Sequence, residues 1–154
     1  MRARLRGVLA LLVLLPLVAA CGGGPRPTGA KGPEVIARLG LEGRWALDCA
    51  ADFSRQNPHM IYALPNNGPP TEQLLARDPR LDRVTPLTDI VELEGGMVQW
   101  VQKAASGTVT TIIKVDGPRQ KTWHALMSDG TVLVADGAFN GGSQTPWFNK
   151  CAGG

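Results

Sequence analysis

The sequence reads as all-β: a small antiparallel up-and-down barrel, with a β-sandwich as the alternative, and a short helix ahead of the first strand. Turn residues recur about every eight to twelve positions, as they do in meanders closed into barrels or sandwiches. Between the turns lie short runs rich in β-branched and aromatic residues with alternating polarity. After residue 40 no stretch keeps a helical apolar period for long.

The first element is a leader. Arg2, Arg4 and Arg6 precede an unbroken apolar run from Val8 to Val18, and Ala19 and Ala20 close it. Charged, apolar and small residues in that order predict a signal peptide over residues 1–20. With Pro16 inside it, the run is too short for a permanent span of hydrocarbon, which takes roughly 20 residues. Val18-Ala19-Ala20-Cys21 resembles the lipobox of bacterial lipoproteins: an aliphatic residue, two small ones and the cysteine that is acylated and becomes the mature first residue. The resemblance implies palmitate-type acylation at Cys21 and anchorage of the mature chain in a membrane. Gly22, rather than Asp, after that cysteine implies sorting to the outer membrane, facing the periplasm. Several acyl chains on one cysteine give a durable tether where a single chain would not.

Residues 21–33 carry no aliphatic core residue and read as a flexible Gly/Pro-rich tether. Residues 34–154 are then one domain, since a chain of this length supports one core and not two. Glu34 to Leu39 forms one or two helical turns: Pro33 suits the first turn, Val35, Ile36 and Leu39 share a face, and Gly40 closes it. Trp45, Leu47 and Cys49 alternate in the first strand. Met60, Tyr62 and Leu64 alternate in the next, after the break at Gln56-Asn57-Pro58. Residues 66–70, Asn-Asn-Gly-Pro-Pro, make a turn, and a strand is expected to begin at Leu74 to Ala76. Gly95-Gly96 joins Asp89–Glu94 to Met97–Ala104 in a hairpin. Ser106-Gly107 leads into Thr108–Val115, Asp116-Gly117-Pro118 into Lys121–Met127, and Ser128-Asp129-Gly130 into Thr131–Ala135. Strict alternation places Val109, Thr111, Ile113 and Val115 on one face, and Lys121, Trp123, Ala125 and Met127 on one face of the next strand.

Cysteine usage fits an exported chain. With Cys21 lipidated, Cys49 and Cys151 remain as one pair in an oxidising compartment, where a disulfide is the default and two buried thiols the alternative. Closing so long a loop removes about 4–5 kcal/mol of unfolded-state entropy in the chain-entropy picture.

Charge excludes one class of partner. The chain has 16 Lys+Arg and 13 Asp+Glu, and three of the arginines belong to the leader, so the rest of the chain is balanced. No basic cluster suited to nucleic acid is present.

Catalytic signals are lacking. His59 and His124 are the only histidines and sit in no zinc-binding spacing. Ser128-Asp129-Gly130 is a turn without a G-x-S-x-G elbow, and Asp129-Gly130 and Asp136-Gly137 lack the ligand order of a calcium loop. Residues 140–143, Asn-Gly-Gly-Ser, are followed by no helix or Lys that would hold a phosphate. Glu92 and Glu94 share a strand face, where charges most often meet solvent. No enzyme, metal or cofactor is expected.

Gly43-Arg44-Trp45, just after the short helix, resembles the G-x-W opening of lipocalins, avidins and small metalloprotease inhibitors, in which the tryptophan plugs one end of a barrel. The chain is shorter than a lipocalin and lacks the T-D-Y turn. The paired segments 45–49 and 145–151 also resemble small exported bacterial proteins of unknown function. The function expected is therefore a membrane-anchored, non-catalytic binding module for a small apolar ligand or a protein target, with Trp45, Tyr62, Trp100 and Trp123 as candidate binding residues. A structural or assembly accessory of the envelope is the alternative, with segments 66–70 and 140–146 as its candidate contact loops.

Overall fold

The computed structural model describes residues 24–104 and 107–153. The leader, Cys21 and the expected turn residue Ser106 lie outside the described residues. The fold is all-β with one short helix. Its strands are β1 (Pro27–Lys31), β2 (Gly43–Ala46), β3 (His59–Ala63), β4 (Thr71–Leu75), β5 (Arg83–Pro86), β6 (Thr88–Leu93), β7 (Met97–Ala104), β8 (Gly107–Asp116), β9 (Arg119–Met127), β10 (Val132–Ala135), β11 (Ala138–Phe139) and β12 (Phe148–Lys150), and α1 (Pro33–Arg38) follows β1. They form one antiparallel sheet in the order β1-β6-β7-β8-β9-β12-β2-β3-β4-β5, with the β10–β11 hairpin branching from β9. The hydrogen-bonded path is not closed on itself. Yet β5 and β6 are separated only by Leu87, so β4 pairs with one half of residues 83–93 and β7 with the other.

The long strands β7, β8 and β9 follow from the densest β-branched stretch of the sequence. Between β6 and β7 the tight turn uses positive φ at both Gly95 (76°) and Gly96 (70°). A Cβ at Gly96 would stand 2.9 Å from the Val115 carbonyl oxygen, so this turn also needs glycine for close approach.

The core gathers Val35 and Ile36 of α1 with Leu41, Trp45, Tyr62, Leu87, Ile90, Val98, Trp100 and Ile113. Cys49 and Cys151 are at disulfide distance, Cα to Cα 5.3 Å, and join the loop after β2 to the residue after β12.

Several elements differ from the sequence expectation. Residues 27–31, assigned to the tether by composition, form β1 against β6, and the Arg26 carbonyl accepts from Glu94 N–H at 2.8 Å. The strand contributes backbone hydrogen bonds and almost no core side chains, so composition carried no trace of it. The first strand ends at Ala46 rather than reaching Cys49. The following loop winds around buried Asn57, whose amide accepts from Asp48 N–H and donates to the carbonyls of Asp48, Ala51 and Asp52. The strand expected from Leu74 begins at Thr71, and β5 was not expected.

In β9 a bulge opposite Ile112 and Ile113 shifts the alternation. Lys121 and Trp123 therefore face one side, whereas Ala125, paired with Thr111, faces the other.

Candidate functional site

Strand register builds a polar layer inside the apolar core. Tyr62 of β3 pairs directly with Glu72 of β4, which pairs with Thr85 of β5, so the three project to one side in a row across three strands. On the other half of the sheet, Trp100 pairs with Thr111, and Gln102 lies two residues along the same face. Gln120 of β9 joins them through its pairing with Val115. The two halves meet inside: the Tyr62 and Trp100 rings contact edge-to-face, centroids 5.6 Å apart. Tyr62, Trp100 and Gln120 are at most 1% exposed, and Glu72, Thr85 and Thr111 are also buried.

Four buried atoms in this layer make no hydrogen bond of good geometry among the described residues, although Gln102 stands beside Glu72 and Gln120 beside Tyr62: Trp100 Nε1, Gln102 Nε2, and both Nε2 and Oε1 of Gln120. Buried polar groups are almost always satisfied in native proteins, and each that is not costs about 1–3 kcal/mol. Here three N–H donors and one acceptor converge on a carboxyl and a phenol. Burial pushes the Glu72 carboxyl above the usual carboxylate range, opposed by Gln102, Arg83 and Tyr62. Burial, then the neighbouring Glu72, raises the Tyr62 phenol well above its ordinary value, and the side chain of Gln120 beside it opposes the rise. The arrangement favours neutral side chains that present hydrogen-bonding edges.

Of the four aromatic candidates, Trp45, Tyr62 and Trp100 share the core cluster, and Trp123 does not. Trp45 is fully satisfied: its Nε1 donates to the Leu41 carbonyl at 2.7 Å, and Lys150 Nζ stands 5.7 Å from the ring centroid. Trp123 lies on the opposite face of β9, in a row of cations and rings. Lys114 and Lys121 are 5.0 and 5.2 Å from the Trp123 centroid, and Lys121 and Arg119 are 5.2 and 5.1 Å from that of Trp147.

Beside the core runs an open groove of about 820 Å³, bordered by Gly40, Glu42, Gly43, Tyr62, Pro118 and Lys150. Tyr62 thus belongs to both groove and polar layer.

Other candidates have structural roles. Glu92 accepts from the Thr28 hydroxyl at 2.6 Å and from Arg38 at 2.7 Å, bonds that hold its carboxyl below the usual range and tie β1 and α1 to β6. Glu94 is exposed. Buried His59 sits against Asn57 and the Ala51 carbonyl, while His124 pairs with Ile112 on the outer face of β9. Among the described residues no group of three or more His, Cys, Asp or Glu comes together as a metal centre. Residues 66–69 are exposed, as are 140–144; Thr145 is buried and donates to the Thr122 carbonyl.

Sequence reasoning missed Glu72, Gln102 and Gln120. Met97 to Ala104 mixes Gln and Lys with Val and Trp on both faces, so nothing singles out Gln102; Glu72 falls where a loop was expected, and Gln120 is two residues from Pro118 and reads as part of its turn. No protein-family model, curated protein or solved structure matches the chain.

Proposed function

We propose that the chain is a lipid-anchored, extracytoplasmic binding module without catalytic activity, whose all-β domain is a small barrel holding a small ligand at the polar layer. The observation that carries this reading is the set of four unpartnered atoms around Glu72 and Tyr62. A bound molecule that accepts from three N–H donors and donates to one amide oxygen removes the desolvation cost of all four. Trp100, Val98 and Ile113 lie in the same core, so the ligand this layer suits has an apolar body as well as polar groups. The barrel is supported by the shared segment 83–93, flanked by β4 and β7, and by the Tyr62–Trp100 contact between distant strands. The anchor is supported by the lipobox resemblance at Cys21.

A protein-facing role is favoured by one observation: Val84 on β5, at the end of the sheet, is 61% exposed, and Phe139 is 46% exposed.

Native mass spectrometry of the full lipoprotein, extracted from membranes in mild detergent, separates the two readings. The ligand reading expects a reproducible added mass that is lost in Gln120→Leu; a bare chain from every preparation overturns it. Metabolic labelling with palmitate tests the anchor. Label is expected in the native chain and absent in Cys21→Ser, and an unlabelled native chain contradicts the lipoprotein reading.

A further inference from the structure

We propose that the outer side of β8 and β9 is a phosphate-binding site, formed by Lys114 and Lys121 around the indole of Trp123. The two lysines are direct cross-strand partners. Like charges so placed repel and destabilise a sheet, and no acidic side chain relieves them: among the described residues neither lysine makes an ion pair or a side-chain hydrogen bond. Asp116, two residues along from Lys114, is taken by Arg119 at 2.7 Å. Asp136, beside the hairpin residue that covers Lys121, is exposed and forms no salt bridge among the described residues.

Lys121 is only 9% exposed. The backbone of Gly137 closes over it so tightly that a Cβ there would stand 2.6 Å from Nζ. An ammonium is seldom buried without a partner. The rings of Trp123 and Trp147, at 5.2 Å on each side, supply part of that partner, but a ring carries no net charge and neither lysine is neutralised by them. Lys114, Trp123 and Trp147 are each half-buried, so the group is open to solvent.

Phosphate fits this geometry better than a carboxylate. Two ammonium groups on one ring offer up to six N–H donors between them. A compact oxyanion with two charges accepts from both and removes their repulsion, whereas one carboxylate charge neutralises a single lysine. Inorganic phosphate in solution and the phosphomonoester of a lipid headgroup both present such a dianion.

The test uses the full lipoprotein in phosphatidylcholine vesicles, titrated with inorganic phosphate at constant ionic strength and read by tryptophan fluorescence. A saturable change is expected with phosphate and none with acetate. Lys114→Gln and Lys121→Met should each weaken it at least about tenfold. Lys114→Glu separates site from scaffold, because it places an ion pair where the repulsion stood: the melting temperature should rise by about 1–4 °C while phosphate binding disappears. In vesicles containing phosphatidic acid, whose headgroup is a phosphomonoester carrying up to two charges, a response already saturated before phosphate is added identifies a headgroup as the source, and an unchanged titration identifies phosphate from solution. Equal responses to phosphate and acetate, or a lower melting temperature in Lys114→Glu, would overturn the proposal.

Discussion

Gln120 and Lys121 are neighbours in β9, both buried, and they meet opposite fates. Gln120 points into the core beside Tyr62, and neither end of its amide makes a hydrogen bond of good geometry among the described residues. Lys121 points outward, and its charge lies between two indole rings beneath Gly137. The outer face satisfies a buried cation largely with the chain's own aromatic residues. The inner face assembles donors and an acceptor and leaves them unmatched. On the proposed reading, an unmatched group inside the core marks the place where a ligand completes the chain.

The largest effect expected is on the frame that holds both faces. Cys49→Ala with Cys151→Ala removes the tie beside β12, which pairs with β9 at Gln120. Equilibrium unfolding should show a loss of about 2–5 kcal/mol. A loss below 1 kcal/mol would show that β12 holds its place without the bridge.

Two tryptophans sharpen the contrast next. Trp45→Phe strips the Leu41 carbonyl of its donor and should cost about 1–3 kcal/mol, whereas Trp100→Phe removes a donor that has no partner and should cost clearly less in ligand-free protein. Equal costs, measured by urea unfolding, would mean that Trp100 Nε1 is bonded after all. Gln120→Leu extends the comparison: it should stabilise the ligand-free domain by about 1 kcal/mol while abolishing ligand capture.

The smallest effect is a pH dependence. Because burial raises the Glu72 carboxyl above its unfolded value, the folded state holds that proton more tightly. Its contribution to stability is complete below the unfolded value and falls as pH rises through the folded one. Glu72→Gln should therefore gain stability relative to native protein as pH increases above the ordinary carboxylate range, and match it in acid. A gain that is constant with pH would remove Glu72 from the buried layer.

Much of the fold was legible because turns and β-branched runs are local signals. The Gly95-Gly96 hairpin, the turns at 116–118 and 128–130, and strands β7 to β10 appear close to where those residues place them. What escaped depends on pairing between distant segments. Strand β1 carries almost no core side chain and exists through its ladder with β6. The bulge opposite Ile112 and Ile113 turned Trp123 away from Ala125, which no alternation within one strand discloses. The polar layer lies furthest from sequence, since Tyr62, Glu72 and Thr85 become a row only through the register of three strands.

A crystal structure of the full chain purified directly from the cells that make it, at a resolution that shows ordered water, tests the central claim most directly. The expected result is density for a non-protein molecule within hydrogen-bond distance of Trp100 Nε1, Gln102 Nε2 and the Gln120 amide. A layer that holds only water, or in which Gln120 turns to a partner within the chain, would contradict the account.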